Sequence, residues 1–278
     1  MDDVADMPLT LIPLQYIPLI RHGDNLADIV VTALEKNNIN IENNDILVFA
    51  QKVVSKAEGR AINLVTVTPS PHARALAAER EKDARVVELI LQESNEVLRT
   101  RPGTIIVEHK LGFVCANAGI DHSNVDSPLP AGDREAFQSE AEEGPGVRGE
   151  EWVLLLPANP DRSAEKIRHE IESKTGKQTG VLIIDSHGRA WRNGTVGLAI
   201  GVAGLPALQD LRGQPDLFGF TLRVTQVGVA DELAAAASLV MGQAAEGTPV
   251  VHVRGFPYPL RESSLQELIR PKEHDLFR

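Results

Sequence analysis

Apolar residues along the chain fall into short runs, separated by polar segments that often contain glycine, proline or asparagine. Strands are predicted for the runs at residues 9–20, 45–55, 152–157, 181–188 and 250–256. The prolines in the first run favour an edge strand followed by a loop. Residues 104–120 predict two further strands, joined by a turn at His109–Gly112.

Two segments have apolar residues at helical spacing together with recognisable end signals. Residues 25–38 predict a helix, with Asp24 as its N-cap. Residues 161–176 predict an amphipathic helix, with Asp161 as its cap and Gly176 where a helix usually stops. Both segments therefore predict surface helices that pack one face against a core.

The remaining elements decide the fold class. Residues 73–94 predict one long helix, and residues 222–243 predict a strand that leads into a helix. The glycine-rich run at 194–205 has neither a helical nor a strand period. Residues 126–151 are acidic and rich in glycine and proline, which favours a long mobile loop. Strands and helices alternate only partly, so we expect an α+β (mixed α/β) fold.

Composition and charge exclude several classes of function. A net charge of −11 over 278 residues disfavours sequence-independent binding to nucleic acid, which needs a basic surface. The single cysteine, Cys115, cannot form an internal disulfide, so we expect a cytoplasmic protein. No run approaches the ~18 apolar residues of a membrane helix. The phosphate-loop, dinucleotide-binding and H-E-x-x-H motifs do not occur, so any nucleotide is held by other means.

Polar residues follow several of the apolar runs, where loops present chemistry on a rigid frame. Lys52 and Lys56 lie four residues apart on a strand that runs into a loop and could pair with phosphate, although two solvated lysines would look the same. The segment NAGIDHSNV, from Asn117 to Val125, offers the oxygen ligands that hard cations prefer. A polar turn with local hydrogen bonds is the alternative there.

The segment IIDSHGRAWRNG holds Asp185, Ser186 and His187 side by side. Consecutive strand residues point to opposite faces, so these three do not form a hydrolase triad locally. Asp185 is better interpreted as an oxygen ligand that Ser186 joins from the turn. Arg189 and Arg192 could hold a phosphate or carboxylate. A capped turn between strand and loop is again the alternative.

The last candidate cluster surrounds the predicted helix within residues 222–243. Asp231 and Glu232 lie at its start, where carboxylates interact favourably with the helix dipole, and that structural role is expected for them. Gly242 and Gln243 follow its end, in a loop that could reach a ligand.

At these residues the sequence resembles the coenzyme F(420)-0:γ-glutamyl ligase family. The segments that carry the resemblance include VVSKAEGR, NAGIDHSNV and the pattern D-S-x-G-R-x-W-R, in family order. They extend over nearly the whole chain apart from the extreme N-terminus and residues 126–151. The resemblance implies a GTP-dependent ligase that adds L-glutamate to coenzyme F(420)-0, and further glutamates through γ-linkages, by way of an acyl phosphate.

The resemblance also implies the ligands and the assembly. It implies two divalent ions, Mg²⁺ or Mn²⁺, with a monovalent cation such as K⁺ as a further candidate, and an intertwined homodimer of the γ-glutamyl ligase fold. Residues 1–278 are expected to form a single ligase unit that could divide into two subdomains, with no reductase-like domain at the C-terminus. Neither nucleic acid nor membrane is an expected partner.

Site residues are carried over from the family position by position. The metal ligands fall on Asp121, Asp185, Ser186 and Gln243. The nucleotide contacts fall on Ile17, Pro18, Leu19, Ile20, Gln51, Lys56, Asn124, Val240, Met241, Gly242, Gln243, Ala244, Ala245, Glu246 and Gly247. Lys56 and Asp185 are the expected catalytic residues.

Departures from the family pattern and competing functions stay open at this point. His187 stands where an apolar or aromatic residue is common, and Ala190 where proline is frequent; neither is expected to touch a proposed ligand. The acidic loop looks longer than the usual connection and begins soon after Asn124.

A metal-dependent nucleotide phosphohydrolase using Asp121 and Asp185 is one alternative function, and a non-catalytic nucleotide-binding protein is another.

Overall fold

A computed structural model describes residues 7–125 and 152–276, and the chain divides into two compact units. One, here the five-stranded unit, comprises Met1–Leu19, Asn25–Val54 and Asn159–Arg278. The other, here the three-stranded unit, comprises Ile20–Asp24 and Ser55–Ala158. The acidic loop expected at 126–151 lies outside the described residues.

Helices and strands are numbered in chain order. The helices are α1 (Leu26–Lys36), α2 (Gln51–Ala57), α3 (Pro71–Arg80), α4 (Ala84–Gln92), α5 (Pro160–Thr175) and α6 (Val229–Met241). The strands are β1 (Thr10–Pro13), β2 (Ile46–Ala50), β3 (Ala61–Asn63), β4 (Ser94–Arg101), β5 (Thr104–His109), β6 (Val114–Ala116), β7 (Trp152–Leu154), β8 (Gly180–Arg189), β9 (Arg192–Ala203), β10 (Gln209–Asp210), β11 (Gln226–Val227) and β12 (Val250–Arg254). This is the mixed α+β fold that the sequence predicts.

The five-stranded unit is built on a mixed sheet in the order β1-β12-β2-β8-β9. β2 and β8 run parallel, and the other neighbours are antiparallel. Successive residues of β2 and β8 are buried, because helices cover the sheet on both faces. Leu182 and Ile184 pack against α6 in one core cluster, whereas Val181 and Ile183 are buried outside that cluster. β1 is an edge strand, as its prolines predict.

A one-residue bulge in β9 changes which face of the sheet its side chains reach. Ile183 pairs with Gly201 and Ile184 with Ala199, so Ile200 is the additional residue. Gly197, on one side of the bulge, lies against α6, and a Cβ there would be 2.5 Å from the Ala234 carbonyl oxygen. Gly201, on the other side, lies against Pro160 at the start of α5, where a Cβ would be 2.6 Å from its backbone. Both helices therefore approach β9 as closely as glycine allows.

A buried ionic cluster joins β12 to the segment before β2. Asp45, with 1% of its surface exposed, accepts hydrogen bonds from His252 Nε2 at 2.8 Å and from Arg254 Nε and Nη2 at 2.8 and 2.7 Å. The amide of Glu42 also donates to it. Burial opposes ionisation of Asp45, but these hydrogen bonds outweigh it and lower its pKa to about 2.

The three-stranded unit contains the sheet β4-β5-β6 and the separate pair β3-β7, all antiparallel. Its core joins α3 and α4 to β5 through side chains such as Val87, Ile90 and Val107. Arg60 connects distant parts of this unit. Its Nε donates to the carbonyl of Leu156 at 2.9 Å, and its guanidinium forms an ion pair with Glu93 at 2.7 Å.

Several predicted elements are wrong in type or extent. The apolar run 45–55 is a strand only to Ala50 and then becomes α2, because periodicity does not separate a short buried helix from a buried strand. The long helix predicted for 73–94 is two helices, interrupted where Glu81 adopts a left-handed conformation (φ 53°). Asp83 caps the second of them, accepting from the amide of Arg85. Strand β4 follows directly, and the sequence analysis missed it.

The predicted helix caps are also off by one or two positions. Asn25, not Asp24, caps α1 by accepting from the amide of Asp28, while Asp24 accepts from the amide of Arg21. Asn159 caps α5 in place of Asp161. The predicted end of α5 is confirmed, because Gly176 adopts the left-handed conformation there.

Candidate active site

Segments that are far apart in the sequence meet at one end of the five-stranded sheet, where β2 finishes. This end is called the sheet edge below. Because β2 and β8 are parallel and Ala50 pairs with Ile184, the residues that follow, Gln51 and Asp185, are neighbours at this edge. β12 begins at the same edge, where the amide of Ala50 donates to the carbonyl of Pro249 at 2.9 Å. The loop between α6 and β12, residues 242–249, therefore lies here too.

The end of β1 reaches the same edge from the other side of β12. The amide of Leu14 donates to the carbonyl of Val250 at 2.8 Å, so the segment that contains Ile17, Pro18 and Leu19 leaves the sheet at this point. Four of the segments that the sequence analysis assigned to nucleotide or metal thus meet at a single sheet edge.

Asp185, Ser186 and His187 lie within β8, not in a turn. The strand continues to Arg189 and pairs along this length with β9, so the turn interpretation of this segment is wrong. Ser186 is paired with Gly197 and faces α6. The expected absence of a local triad is confirmed, because Asp185 and His187 share the opposite face.

His187 does touch a proposed ligand, contrary to expectation. Its Nε2 lies 3.0 Å from Oδ2 of Asp185, and 8% of the histidine surface is exposed. Alternate residues of an extended strand point the same way, and this brings the two side chains together. His187 therefore lies within ion-pair distance of the Asp185 carboxylate.

Ser186 and Gln243 meet across 57 residues of sequence. The Ser186 hydroxyl donates to Gln243 Oε1 at 2.8 Å, and Gln243 Nε2 donates to the hydroxyl of Ser238 on α6 at 2.9 Å. The sequence analysis missed Ser238, which stands among alanines in a helix and carries no motif. Its spacing of five residues from Gln243, across the end of the helix, is the only sequence signal.

The side chains at this edge offer the oxygen donors that hard divalent cations prefer. Ser186 and Gln243 supply a hydroxyl and an amide oxygen on one face of β8, and Asp185 supplies a carboxylate on the other face. Neighbouring ligands on an octahedral Mg²⁺ at about 2.1 Å are about 3 Å apart, close to the 2.8 Å between the Ser186 and Gln243 oxygens. Within residues 7–125 and 152–276, no group of three or more histidine, cysteine, aspartate or glutamate side chains is arranged for a metal.

The loop from Val240 to Gly247 is closed on itself. Thr248 Oγ1, which is buried, donates to the carbonyl of Met241 at 3.0 Å. The carboxylate of Glu246 accepts from the amide of Ala244 at 2.7 Å. Hydrogen bonds from backbone amides, that of Ala244 first, lower the pKa of Glu246 below its usual value. The loop thus directs backbone amides at its own Glu246 carboxylate.

Asp231 has the structural role expected for it. It lies in the first turn of α6, and its Oδ1 accepts from the amide of Ala199 in β9 at 2.9 Å. Burial raises the pKa of Asp231, a shift that this hydrogen bond and the nearby His187 partly offset. The hydrogen bond to Asp231 therefore joins α6 to β9, the strand that α6 approaches closely at Gly197.

The three-stranded unit holds the other assigned residues. The backbone of Asp121 pairs with Leu154 beside β7 through amides at 3.0 and 2.9 Å, and the Asp121 side chain is half-buried. Asn124 is exposed in a left-handed conformation (φ 56°). Asn117 is used structurally, since its Oδ1 accepts from the amide of Ile105. Ile20 is buried in this unit.

The two lysines of this region lie on α2, not on a strand and loop as the sequence analysis expected. Lys52 and Lys56 are four residues apart on the helix and therefore share a face. Gln51, the first residue of α2, has 1% of its surface exposed. The helix thus begins at the sheet edge and carries Lys56 in its last turn.

The hairpin that joins β8 to β9 carries two arginines at its tip. Arg189 and Arg192 are paired across it, and both are exposed. Between them Trp191 has a left-handed backbone (φ 63°) and 90% of its surface exposed. The hairpin therefore presents positive charge on the same strand as Asp185.

Comparison with known proteins identifies relatives over almost the whole chain. The family model described as F420-0:Gamma-glutamyl ligase matches residues 15–255. The chain is 44% identical over 274 residues to the "Coenzyme F420:L-glutamate ligase" of Methanothermobacter thermautotrophicus, covering 98% of this chain and 100% of the relative. It is 43% identical to the protein of that name from Methanocaldococcus jannaschii, covering 94% of each chain. The Archaeoglobus fulgidus protein of that name is 41% identical, covering 98% of this chain and 97% of the relative.

The helices in the described ranges were also compared with what a bilayer requires. None of those within residues 7–125 and 152–276 is long and apolar enough to cross a membrane.

Proposed function

The chain belongs to the F420-0:Gamma-glutamyl ligase family, and we propose that it joins L-glutamate to coenzyme F(420)-0 in a GTP-dependent reaction. Ligation of glutamate to this coenzyme follows from the family and from the names of relatives at 41–44% identity over nearly the full chain. The use of GTP, the acyl-phosphate intermediate and the addition of further γ-linked glutamates are the finer parts of the proposal.

The observation that carries the proposal is the convergence of four segments at one edge of the five-stranded sheet. Gln51, Asp185, Ser186 and the loop at 242–249 lie there, beside the segment that follows β1. Crevices beyond the carboxyl ends of parallel strands are where α/β proteins bind nucleotides. The same segments carry the assignments made from the family resemblance.

By this proposal, a carboxylate oxygen of coenzyme F(420)-0 attacks the γ-phosphorus of GTP. The bond to the bridging oxygen breaks, GDP leaves, and a mixed anhydride forms. The amine of L-glutamate then attacks the acyl carbon, phosphate leaves, and the amide forms as the amine gives up a proton. Both steps bring anions together, so cationic side chains are needed around the phosphates, and Lys56 has this role.

Asp185, Ser186 and Gln243 would serve as ligands of divalent cations, Mg²⁺ or Mn²⁺, and the resemblance makes Asp121 of the three-stranded unit a ligand as well. Such a cation supplies positive charge to the phosphoryl group during transfer. Two divalent ions, with K⁺ as an additional candidate, remain the expected set. The backbone amides of the loop from Val240 to Gly247 would contact the nucleotide, as would Asn124 and Ile17–Ile20.

The test is a reconstituted reaction with purified protein, coenzyme F(420)-0, L-glutamate, GTP and Mg²⁺ or Mn²⁺. We expect a product heavier by one or more glutamyl residues, with one GDP formed per glutamate added. Omission of L-glutamate should suppress release of free phosphate. GTP hydrolysis that does not depend on any acceptor would instead indicate a phosphohydrolase, and tight GTP binding without turnover would indicate a binding protein.

We also propose a homodimer located in the cytoplasm. The segment between β10 and β11 exposes large apolar side chains, with Leu217 98% and Phe218 95% exposed in a single chain. The segment forms a hydrogen-bonded turn, in which Asp216 accepts from the amides of Phe218 and Phe220 at 2.8 Å. Clustered apolar side chains on a surface are typical of an interface between subunits.

A further inference from the structure

We propose that Ser238 is a positioning residue that orients Gln243 as a metal ligand. The inference rests on the metal assignment within the proposed function. Ser238 lies in the last turns of α6 with 9% of its surface exposed, and its hydroxyl accepts from Gln243 Nε2 at 2.9 Å. It has no expected contact with substrate or metal, so any role in the reaction is exerted through Gln243.

The reason lies in the asymmetry of a carboxamide. One end is an oxygen that can bind a cation, and the other is an NH₂ group that repels one. An amide beyond the end of a helix can turn by half a rotation and exchange the two ends. Ser238 accepts from the NH₂ end, and this directs Oε1 toward Ser186, to which it lies 2.8 Å away. The Ser186 and Gln243 oxygens are then adjacent, at about the spacing of two ligands on one cation.

The glycine opposite Ser238 makes this contact geometrically available. A Cβ at Gly197 would be 2.6 Å from Ser238 Cβ, far below ordinary contact, so only glycine lets α6 approach β9 so closely. Gly197 is also the residue paired with Ser186. Gly197 therefore has two roles. It pairs with Ser186 across the hairpin, and it sets how closely α6, which carries Ser238, approaches β9.

The experiment measures Mn²⁺ affinity of the full-length protein in the presence of GDP, with free Mn²⁺ followed by electron paramagnetic resonance. Loss of a side chain that orients a metal ligand typically weakens metal binding by about 10- to 100-fold. We expect Ser238→Ala to raise the Kd for Mn²⁺ about tenfold. Ser163→Ala, a control that removes a helix serine whose hydroxyl donates to the carbonyl of Asn159, should leave it unchanged.

A double-mutant cycle separates positioning from general loosening of the fold. If Ser238 acts through Gln243, then Ser238→Ala should change the Kd by less than about twofold once Gln243→Ala is present, because interacting pairs are not additive. An equal tenfold loss in both backgrounds would overturn the inference. So would an unchanged Mn²⁺ affinity in Ser238→Ala, or in Gln243→Ala alone.

The outcome is distinguishable from failure of the proposed function. A protein whose Mn²⁺ affinity follows the predicted cycle, yet which adds no glutamate to coenzyme F(420)-0, would support the role of Ser238 and overturn the ligase assignment. A protein that adds glutamate but shows no effect of Ser238→Ala on Mn²⁺ binding would support the ligase assignment and overturn the role of Ser238.

Discussion

At the sheet edge, some side chains are proposed metal ligands and others lie in contact with a proposed ligand. Asp185 is a proposed ligand, while its neighbour His187 approaches it at 3.0 Å from the same strand face. Ser186 points the other way, toward Gln243. Alternation along the strand thus places a carboxylate beside an imidazole on one face and a hydroxyl bonded to an amide oxygen on the other. Sequence reasoning anticipated this alternation but assigned His187 no contact with a ligand.

At the residue scale, Asp185→Asn is expected to reduce glutamate addition by at least about 100-fold, because a neutral amide is a much poorer ligand for a hard cation. Asn has nearly the shape of Asp, so the thermal unfolding midpoint should change little. Product mass spectrometry together with a thermal melt checks both statements. Ligase activity equal to that of the wild type would remove Asp185 from the metal site.

At the scale of elements, the buried strands of the five-stranded sheet with a continuous apolar run were the easiest to predict. The apolar runs at β1, β2, β8 and β12 were found, because buried strands have a strong apolar signal. The run at 194–205, which contains most of β9, gave no period because a bulge at Ile200 and several glycines interrupt the alternation. The break between α3 and α4 depends on one left-handed residue, Glu81, which composition does not reveal.

The close contact between α6 and β9 predicts a large effect of a single methyl group. Gly197→Ala would bring a Cβ to 2.5 Å from the Ala234 carbonyl oxygen, so the helix must move. We expect a loss of about 1–3 kcal/mol in the free energy of unfolding, measured by urea denaturation. Gly188→Ala on β8 is the matched control, since a Cβ there meets no atom within 4 Å. Equal stability of the two variants would contradict the packing argument.

The Asp45 cluster predicts how the five-stranded unit responds to acid. The pKa of Asp45 is about 2 in the folded protein and about 3.9 in an unfolded chain, so its contribution is present above pH ~4 and is lost as the pH falls toward ~2. We expect Asp45→Asn to reduce the free energy of unfolding at neutral pH by on the order of 2 kcal/mol. The difference from wild type should shrink below pH ~4, as measured by denaturant titrations.

Asp210 provides the comparison for Asp45. A hydrogen bond from Arg212 lowers its pKa to about 2 as well, but its pair lies on the surface, where solvent screens the interaction. Asp210→Asn should therefore leave the free energy of unfolding nearly unchanged at every pH. A pH-dependent loss as large as that of Asp45→Asn would show that burial does not determine the effect.

At the scale of the whole molecule, the order of the motifs was enough to predict the family and its reaction. The strand pairing that brings these motifs together in space could not be predicted. Gln51, Asp185 and Gln243 are distant in sequence, and only the register of β2, β8 and β12 brings their segments to one edge. Register depends on pairing partners that local periodicity does not specify. Asp121 and Lys56 belong to the other unit, which sequence patterns alone did not delimit.

The proposed homodimer gives the prediction at this scale. A chain of 30.2 kDa should elute with a mass of about twice that value in size-exclusion chromatography with light scattering. Phe218→Asp places a charge in the exposed apolar segment and should shift the protein toward monomer without unfolding it. Tyr16→Asp, a change at another exposed aromatic residue (65% exposed), is the control. A monomeric wild-type protein would contradict the proposal.

The bulge at Ile200 has a consequence for how this chain tolerates change in length. It exchanges the two faces of β9, so Gly197 meets one helix and Gly201 another although the two glycines are four positions apart. Removal of one residue between them would restore simple alternation and leave both glycines on their present faces, because residues three positions apart in a regular strand point to opposite sides. Loss of one codon in frame within this interval is therefore expected to preserve both helix contacts, whereas a methyl group added to either glycine is not.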